Sequence, residues 1–212
     1  MYATNTLPLR AHDRIVFAGD SITAGGTRRT GYITLFKQVV ERDHGKNFIT
    51  VVNAGVPGDI AAQLMQRFDK TVLARHPTIV VIYIGINDVW KREDKKGTPL
   101  EVYRNQVEYM VLRAQKKGAK VLLCTPTVIG EKTAGGNKLD TELDQTAECV
   151  REIGKALNVP VCDLRKGFQN FLATNNPLNW KEGLLTIDGV HLTDEGNKLV
   201  AQLMLCSFGE SP

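Results

Sequence analysis

The stretch Arg14-Ile15-Val16-Phe17-Ala18-Gly19-Asp20-Ser21 decides how this chain folds. Residues 15–18 are short, apolar without alternation and β-prone, the pattern of a strand buried on both faces. The run stops abruptly at Gly19-Asp20-Ser21, which places a hydroxyl just past the carboxyl end of the strand, where open α/β sheets present their sites. Taken alone, most Asp-Ser pairs merely turn the chain or cap a helix. The residues after the other strands decide between the two.

Working outward, four similar apolar runs appear at 48–52, 79–84, 121–124 and 159–162, each with helical patterns between them. The clearest helix spans 98–117, with Leu100, Tyr103, Val107, Met110, Val111 and Ala114 on one face. Thr98 is expected as its N-cap, Pro99 as its first residue, Glu101 as the partner in a capping box, and Gly118 as its stop. A second helix is expected over 59–75, with Ile60, Leu64 and Phe68 inward. Leu139, Leu143, Val150, Ile153 and Leu157 mark a third, and Thr193 caps a C-terminal helix through Leu199, Val200 and Leu203. Continuous apolar strands alternating with helices mean a parallel sheet covered on both faces. The chain therefore reads as α/β: a three-layer α/β/α sandwich around a five-stranded parallel sheet, flavodoxin-like, of order 2-1-3-4-5. With no repeat or linker, 1–212 is expected to be one domain, its core about 14–207 and its tail 1–12.

Composition narrows the function. Hydrophobic residues make up 42% and charged residues 24%, ordinary for a globular protein. The net charge of +4 is scattered, and the densest cluster, Lys91-Arg92-Glu93-Asp94-Lys95-Lys96, is interrupted by two acids. That cluster reads as a solvated loop, and no nucleic-acid partner is expected. No apolar run approaches the roughly 20 residues that span a bilayer, so no membrane insertion is expected. The segment Met1-Tyr2-Ala3-Thr4-Asn5-Thr6 lacks the features of a signal peptide and favours a cytoplasmic location, the alternative being a trimmed exported precursor. Cys124, Cys149, Cys162 and Cys206 are widely spaced, which argues against a metal site or a disulfide framework.

After the first strand stands Gly19-Asp20-Ser21, after the second Asn53-Ala54-Gly55-Val56-Pro57-Gly58, after the third Gly85-Ile86-Asn87-Asp88, and after the fifth Asp188-Gly189-Val190-His191. Parallel strands put their carboxyl ends on one rim, so these four loops converge. Together they hold the inventory of an acyl-transfer site. A serine hydroxyl needs a neighbouring base to take its proton. His191 is the candidate, because an imidazole accepts a proton near neutral pH and later returns it. His12, His44 and His76 read as tail, helix end and helix exit. Asp188, three residues before His191, is placed to hold the far ring nitrogen and fix the tautomer.

These four blocks, in this order, resemble those of the SGNH hydrolase superfamily, the GDSL-type esterases and lipases, and the resemblance covers about 14–203. It implies that Ser21, Asp188 and His191 are catalytic. It further implies an oxyanion hole made by the backbone N–H of Ser21, the backbone N–H of Gly58 and the side-chain amide of Asn87. Asp20, Asn53 and Asp88 are expected to support the site by holding its loops through backbone hydrogen bonds. The implied activity is a serine esterase working through an acyl-enzyme, with no metal or cofactor and a small ester as its partner. The loops 25–32, 89–97, 127–138 and 175–185 are expected to set substrate preference, with Tyr32, Trp90 and Trp180 as candidates to stack on a sugar or line an acyl pocket. None offers a wide apolar surface, which favours a short acetyl ester of a carbohydrate or small alcohol over a long-chain lipid. Lysophospholipase or thioesterase activity in the same superfamily is the nearest alternative. A flavodoxin-like binding module without chemistry is the more distant one.

Overall fold

The computed structural model describes residues 6–91, 97–133 and 135–211, so most of the charged cluster beginning at Lys91 lies outside the described residues. Among the described residues, five strands, β1 (Asp13–Gly19), β2 (Ile49–Gly55), β3 (Ile79–Tyr83), β4 (Lys120–Cys124) and β5 (Val161–Cys162), pair in parallel in the order β2-β1-β3-β4-β5. This is the order expected from the sequence. The α-helices described between and after them are α1 (Ser21–Gly25), α2 (Tyr32–His44), α3 (Ala61–Thr71), α4 (Ile86–Trp90), α5 (Leu100–Lys116), α6 (Asp140–Ala156), α7 (Leu164–Asn175) and α8 (Asp194–Phe208).

The unbroken apolar strands are explained by two cores, one on each face of the sheet. Ile15, Phe17, Val81 and Leu122 pack with Phe36 of α2, Phe168 of α7 and Met204 and Phe208 of α8. Their neighbours Val16, Ala18, Ile82 and Leu123 point the other way, against Leu64 and Phe68 of α3, Val107 and Met110 of α5 and Ile153 of α6. Successive strand residues face opposite sides, so a doubly covered strand must be apolar at every position.

Several boundaries differ from the sequence reading. Strand β2 continues through Gly55 because Asn53, Ala54 and Gly55 pair with Phe17, Ala18 and Gly19, so Asn53 is a strand residue rather than a loop residue. Strand β5 shrinks to two residues directly after Pro160, which has no N–H to give to a ladder. The helix expected over 59–75 is α3 followed by a 3₁₀ turn, Leu73–Arg75. The capping box at α5 does not form. Pro99 is extended (φ −58°, ψ 143°) and takes the N-cap position, while the Thr98 hydroxyl donates instead to Asp88 Oδ1 at 2.5 Å. Among the described residues, no helix is long and apolar enough to cross a membrane.

Candidate active site

Ser21 is the first residue of α1, directly after β1. Asp20 caps that helix, its Oδ1 accepting from the Ile22 N–H at 3.0 Å. The glycine before it is dictated by crowding, since a Cβ at Gly19 would lie 2.3 Å from both Thr23 Oγ1 and the Tyr83 carbonyl oxygen. No side chain fits where β1 turns into α1 beside β3.

Asp188, Gly189, Val190 and His191 form a tight turn ahead of α8. Asp188 Oδ1 accepts from the backbone N–H groups of Val190 (3.0 Å) and His191 (2.8 Å). Its Oδ2 lies 2.7 Å from His191 Nδ1. Ser21 Oγ lies 3.0 Å from His191 Nε2. Burial alone would raise the Asp188 carboxyl, but hydrogen bonds from the His191 ring and from the His191 and Val190 N–H groups outweigh it and hold the pKa below its ordinary value. An ionised Asp188 only accepts, so the ring proton belongs on Nδ1, leaving Nε2 free to accept from the Ser21 hydroxyl. Serine and histidine thus meet across 170 residues of chain.

The three donors expected around a substrate carbonyl are also at this rim. The backbone N–H groups of Ser21 and Gly58 have no hydrogen-bond partner among the described residues. Gly58 has φ +83°, in the region glycine favours, and an added Cβ would meet nothing closer than Lys91 Nζ at 4.0 Å. Backbone conformation rather than crowding therefore accounts for glycine there. The Asn87 side chain is buried, and its Nδ2 donates one hydrogen to the Asp59 carbonyl at 3.0 Å, leaving its second hydrogen unassigned.

The supporting residues hold the loops. Asn53 Nδ2 donates to the carbonyls of Thr23 (2.8 Å) and Ala24 (3.1 Å), and its Oδ1 accepts from the Gly55 N–H, so β2 grips α1. Asp88 accepts from the Ala61 N–H with both oxygens at 3.1 Å, which ties α4 to the start of α3. Burial raises Asp88 despite its bonds from Thr98 and Ala61. Burial also pushes Asp20 up to about 7, with the nearby Asp88 and Asp59 charges adding to the shift and the Ile22 N–H and His191 opposing it.

A cavity of about 520 Å³ opens beside the pair, lined by Ser21, His191, Arg28, Thr30, Pro57 and Ile187 among others. Of the loops expected to touch substrate, only 25–32 contributes to this cavity among the described residues. Tyr32 is a core residue, fully buried with its hydroxyl donating to Thr23 Oγ1, and is not part of this cavity's wall. Trp90 stands edge-on to the His191 ring at 6.4 Å. Trp180 is exposed and is not part of the cavity wall.

Three further residues organise the site without lying in any of the four blocks. Lys91 donates to the Gly58 carbonyl at 2.5 Å, so it is a clasp on the donor loop rather than part of a solvated charge run. Arg67 bridges the Gly19 carbonyl (3.1 Å) and the Asp59 carboxylate (2.7 Å). Glu131, in the loop after β4, is fully buried beneath residues 184–186. Nothing in the local sequence marks any of them, because each acts on a segment distant in the chain.

A model of the GDSL-like Lipase/Acylhydrolase family matches residues 17–199. An acetylxylan esterase of Geobacillus stearothermophilus is 29% identical over 216 residues, covering 93% of this chain and 94% of the relative. Among solved structures, that of an acetyl xylan esterase, AlAXEase, is 36% identical, with a TM-score of 0.89 over 92% of this chain and 98% of the other. That of Axe2, an acetylxylan esterase from Geobacillus stearothermophilus, is 27% identical, with a TM-score of 0.86 over 96% of this chain and 97% of the other.

Proposed function

Since the chain belongs to the GDSL-like lipase/acylhydrolase family, we propose that it is a serine esterase that removes acetyl groups from carbohydrate esters. The observation that carries this reading is the continuous file from Ser21 Oγ through the His191 ring to Asp188, with spacings of 3.0 and 2.7 Å, at the wall of an open cavity. The substrate class rests on the similarity to acetylxylan esterases.

His191 Nε2 takes the Ser21 proton as Oγ attacks the ester carbonyl carbon. Negative charge then develops on the carbonyl oxygen, where the Ser21 and Gly58 N–H groups and the second amide hydrogen of Asn87 receive it. Collapse breaks the bond to the sugar oxygen, which leaves with the proton from His191, and the acetyl group remains on Ser21. Water repeats the cycle: His191 takes one of its protons, the new oxyanion forms and collapses, and Ser21 leaves with that proton as acetic acid departs and ionises to acetate. Asp188 holds the ring and stabilises the imidazolium at each stage without accepting its proton. A binding module has no use for this alignment.

Hydrolysis of acetylated xylo-oligosaccharides should be compared with that of aryl esters of increasing acyl length and with acetyl-thioesters. Best turnover on acetyl oxygen esters is expected. Best turnover on chains of eight or more carbons, or on thioesters, would refute the substrate assignment.

A further inference from the structure

The segment that carries Asp188 and His191 has little structure of its own. Between Lys181 and Thr193 its regular pairing is one isolated antiparallel bridge, Thr186 to Leu192. The His191 and Asp188 side chains are 41% and 48% exposed, so packing does not fix them. On the C-terminal side the turn is held by α8, where the Thr193 hydroxyl caps the helix by accepting from the Gly196 N–H. On the N-terminal side the anchor is Glu131.

Glu131 is 0% exposed, and its carboxylate receives four hydrogen bonds from three consecutive residues. The donors are the N–H groups of Leu184 (2.9 Å), Leu185 (2.8 Å) and Thr186 (2.5 Å) and the Thr186 hydroxyl (2.6 Å). The backbone around it continues the strap. Glu131 N–H donates to the Lys181 carbonyl, and Gly130 N–H donates to the Gly189 carbonyl inside the catalytic turn, both at 2.8 Å. Asn176 Nδ2 donates to the Glu131 carbonyl, also at 2.8 Å. A buried carboxylate is costly unless its lone pairs are filled, and charge-assisted bonds of this kind are strong and directional. The clamped segment ends at Thr186, two residues before Asp188, so the clamp fixes where the Asp188 carboxylate sits.

We infer that Glu131 is a positioning residue of the esterase site: its buried carboxylate holds residues 184–186 and thereby sets Asp188 and His191 in line with Ser21. This inference rests on the triad reading under Proposed function. Its action is through Asp188 and His191, and it touches no substrate. Loss of the clamp lets the turn drift, and a displacement of about 1 Å at a reacting group is enough to lower turnover roughly 10²-fold.

The test compares wild type with Glu131→Gln and Thr186→Val. The amide of Glu131→Gln turns a donor toward donors, while Thr186→Val deletes one of the four bonds and is the milder change. Three quantities are read: kcat and KM on an acetyl ester, the rate at which a fluorophosphonate labels Ser21, and the downfield proton resonance of the His191 Nδ1–H···Asp188 bond. For Glu131→Gln, kcat is expected to fall about 30- to 100-fold with KM within about twofold. Labelling should slow in parallel, and the resonance should broaden or vanish while the far-ultraviolet spectrum stays native. Thr186→Val should show the same pattern at about 3- to 10-fold, and it carries the test if Glu131→Gln does not fold. A folded variant that keeps wild-type labelling and the resonance overturns the inference while leaving the esterase reading intact. Failure of wild type itself to label overturns both.

Discussion

His191 stands between a hydroxyl at 3.0 Å and a carboxylate at 2.7 Å, and each neighbour has a different stake in it. Under the proposed function, replacing the hydroxyl (Ser21→Ala) removes the attacking atom, and replacing the ring (His191→Ala) removes the base. Each is expected to lower kcat by about 10⁴-fold or more with the fold retained, whereas Asp188→Asn should leave the larger residue of activity. Steady-state kinetics with circular dichroism check this, and wild-type turnover by Ser21→Ala would end the assignment. Asp20 is a different case, a buried acid raised from 3.8 to about 7 by burial. A carboxyl whose pKa is higher folded than unfolded favours the native state below the unfolded value and loses that contribution as pH rises through the folded one. Wild-type melting temperature should therefore fall between about pH 4 and 7 relative to Asp20→Asn, whose Oδ1 still accepts from Ile22. Parallel curves for the two proteins across that range would show that Asp20 does not titrate as described.

At the scale of elements, a deeply buried cation fastens one helix to another. Arg165 of α7 is 2% exposed and reaches Asp144 (2.7 Å) and Asp140 (2.9 Å) of α6 and the Thr127 carbonyl (3.1 Å). Removing it takes from the buried Asp140 the guanidinium it faces, a loss of about 3–5 kcal/mol. Chemical denaturation of Arg165→Ala measures this, and a change below about 1 kcal/mol would show that the pair is dispensable. Helix α7 was also an element the sequence did not announce, as were α1 and α4. The last two are five residues long, too short for a 3.6-residue pattern to register, and α1 is recognisable only because Asp20 caps it. The strands and long helices were legible because burial on two faces, or on one stripe, leaves a period in the sequence. Ser21, Asp188, His191, Asn53 and Asp88 were legible because each belongs to a compact block. Lys91, Arg67 and Glu131 were not, since a side chain that serves a backbone 33, 48 or 53 residues away leaves no local signature.

For the molecule as a whole, the interior strands join the two cores, and β1 shows how. Phe17 of β1 lies in the layer of α2 and α8 in edge contact with Tyr32 and Phe36, while Val16 beside it serves the opposite layer. Phe17→Ala is expected to cost about 3–5 kcal/mol, a large share of the roughly 5–15 kcal/mol net stability of a typical protein domain. Equilibrium unfolding should show one cooperative transition at lower denaturant, and a shift smaller than that of a surface substitution would contradict the account. The layout of the thiols has a practical corollary. Cys124, Cys149 and Cys162 are buried, and burial drives Cys124 well above the ordinary thiol value and Cys149 up to about 11; Cys206 is exposed. Position 206 sits thirteen residues along α8 from its cap, roughly 20 Å from the end that abuts the Asp188–His191 turn. A maleimide dye or a bead linker will therefore couple at one address, at the opposite end of α8 from the cavity beside Ser21 and His191.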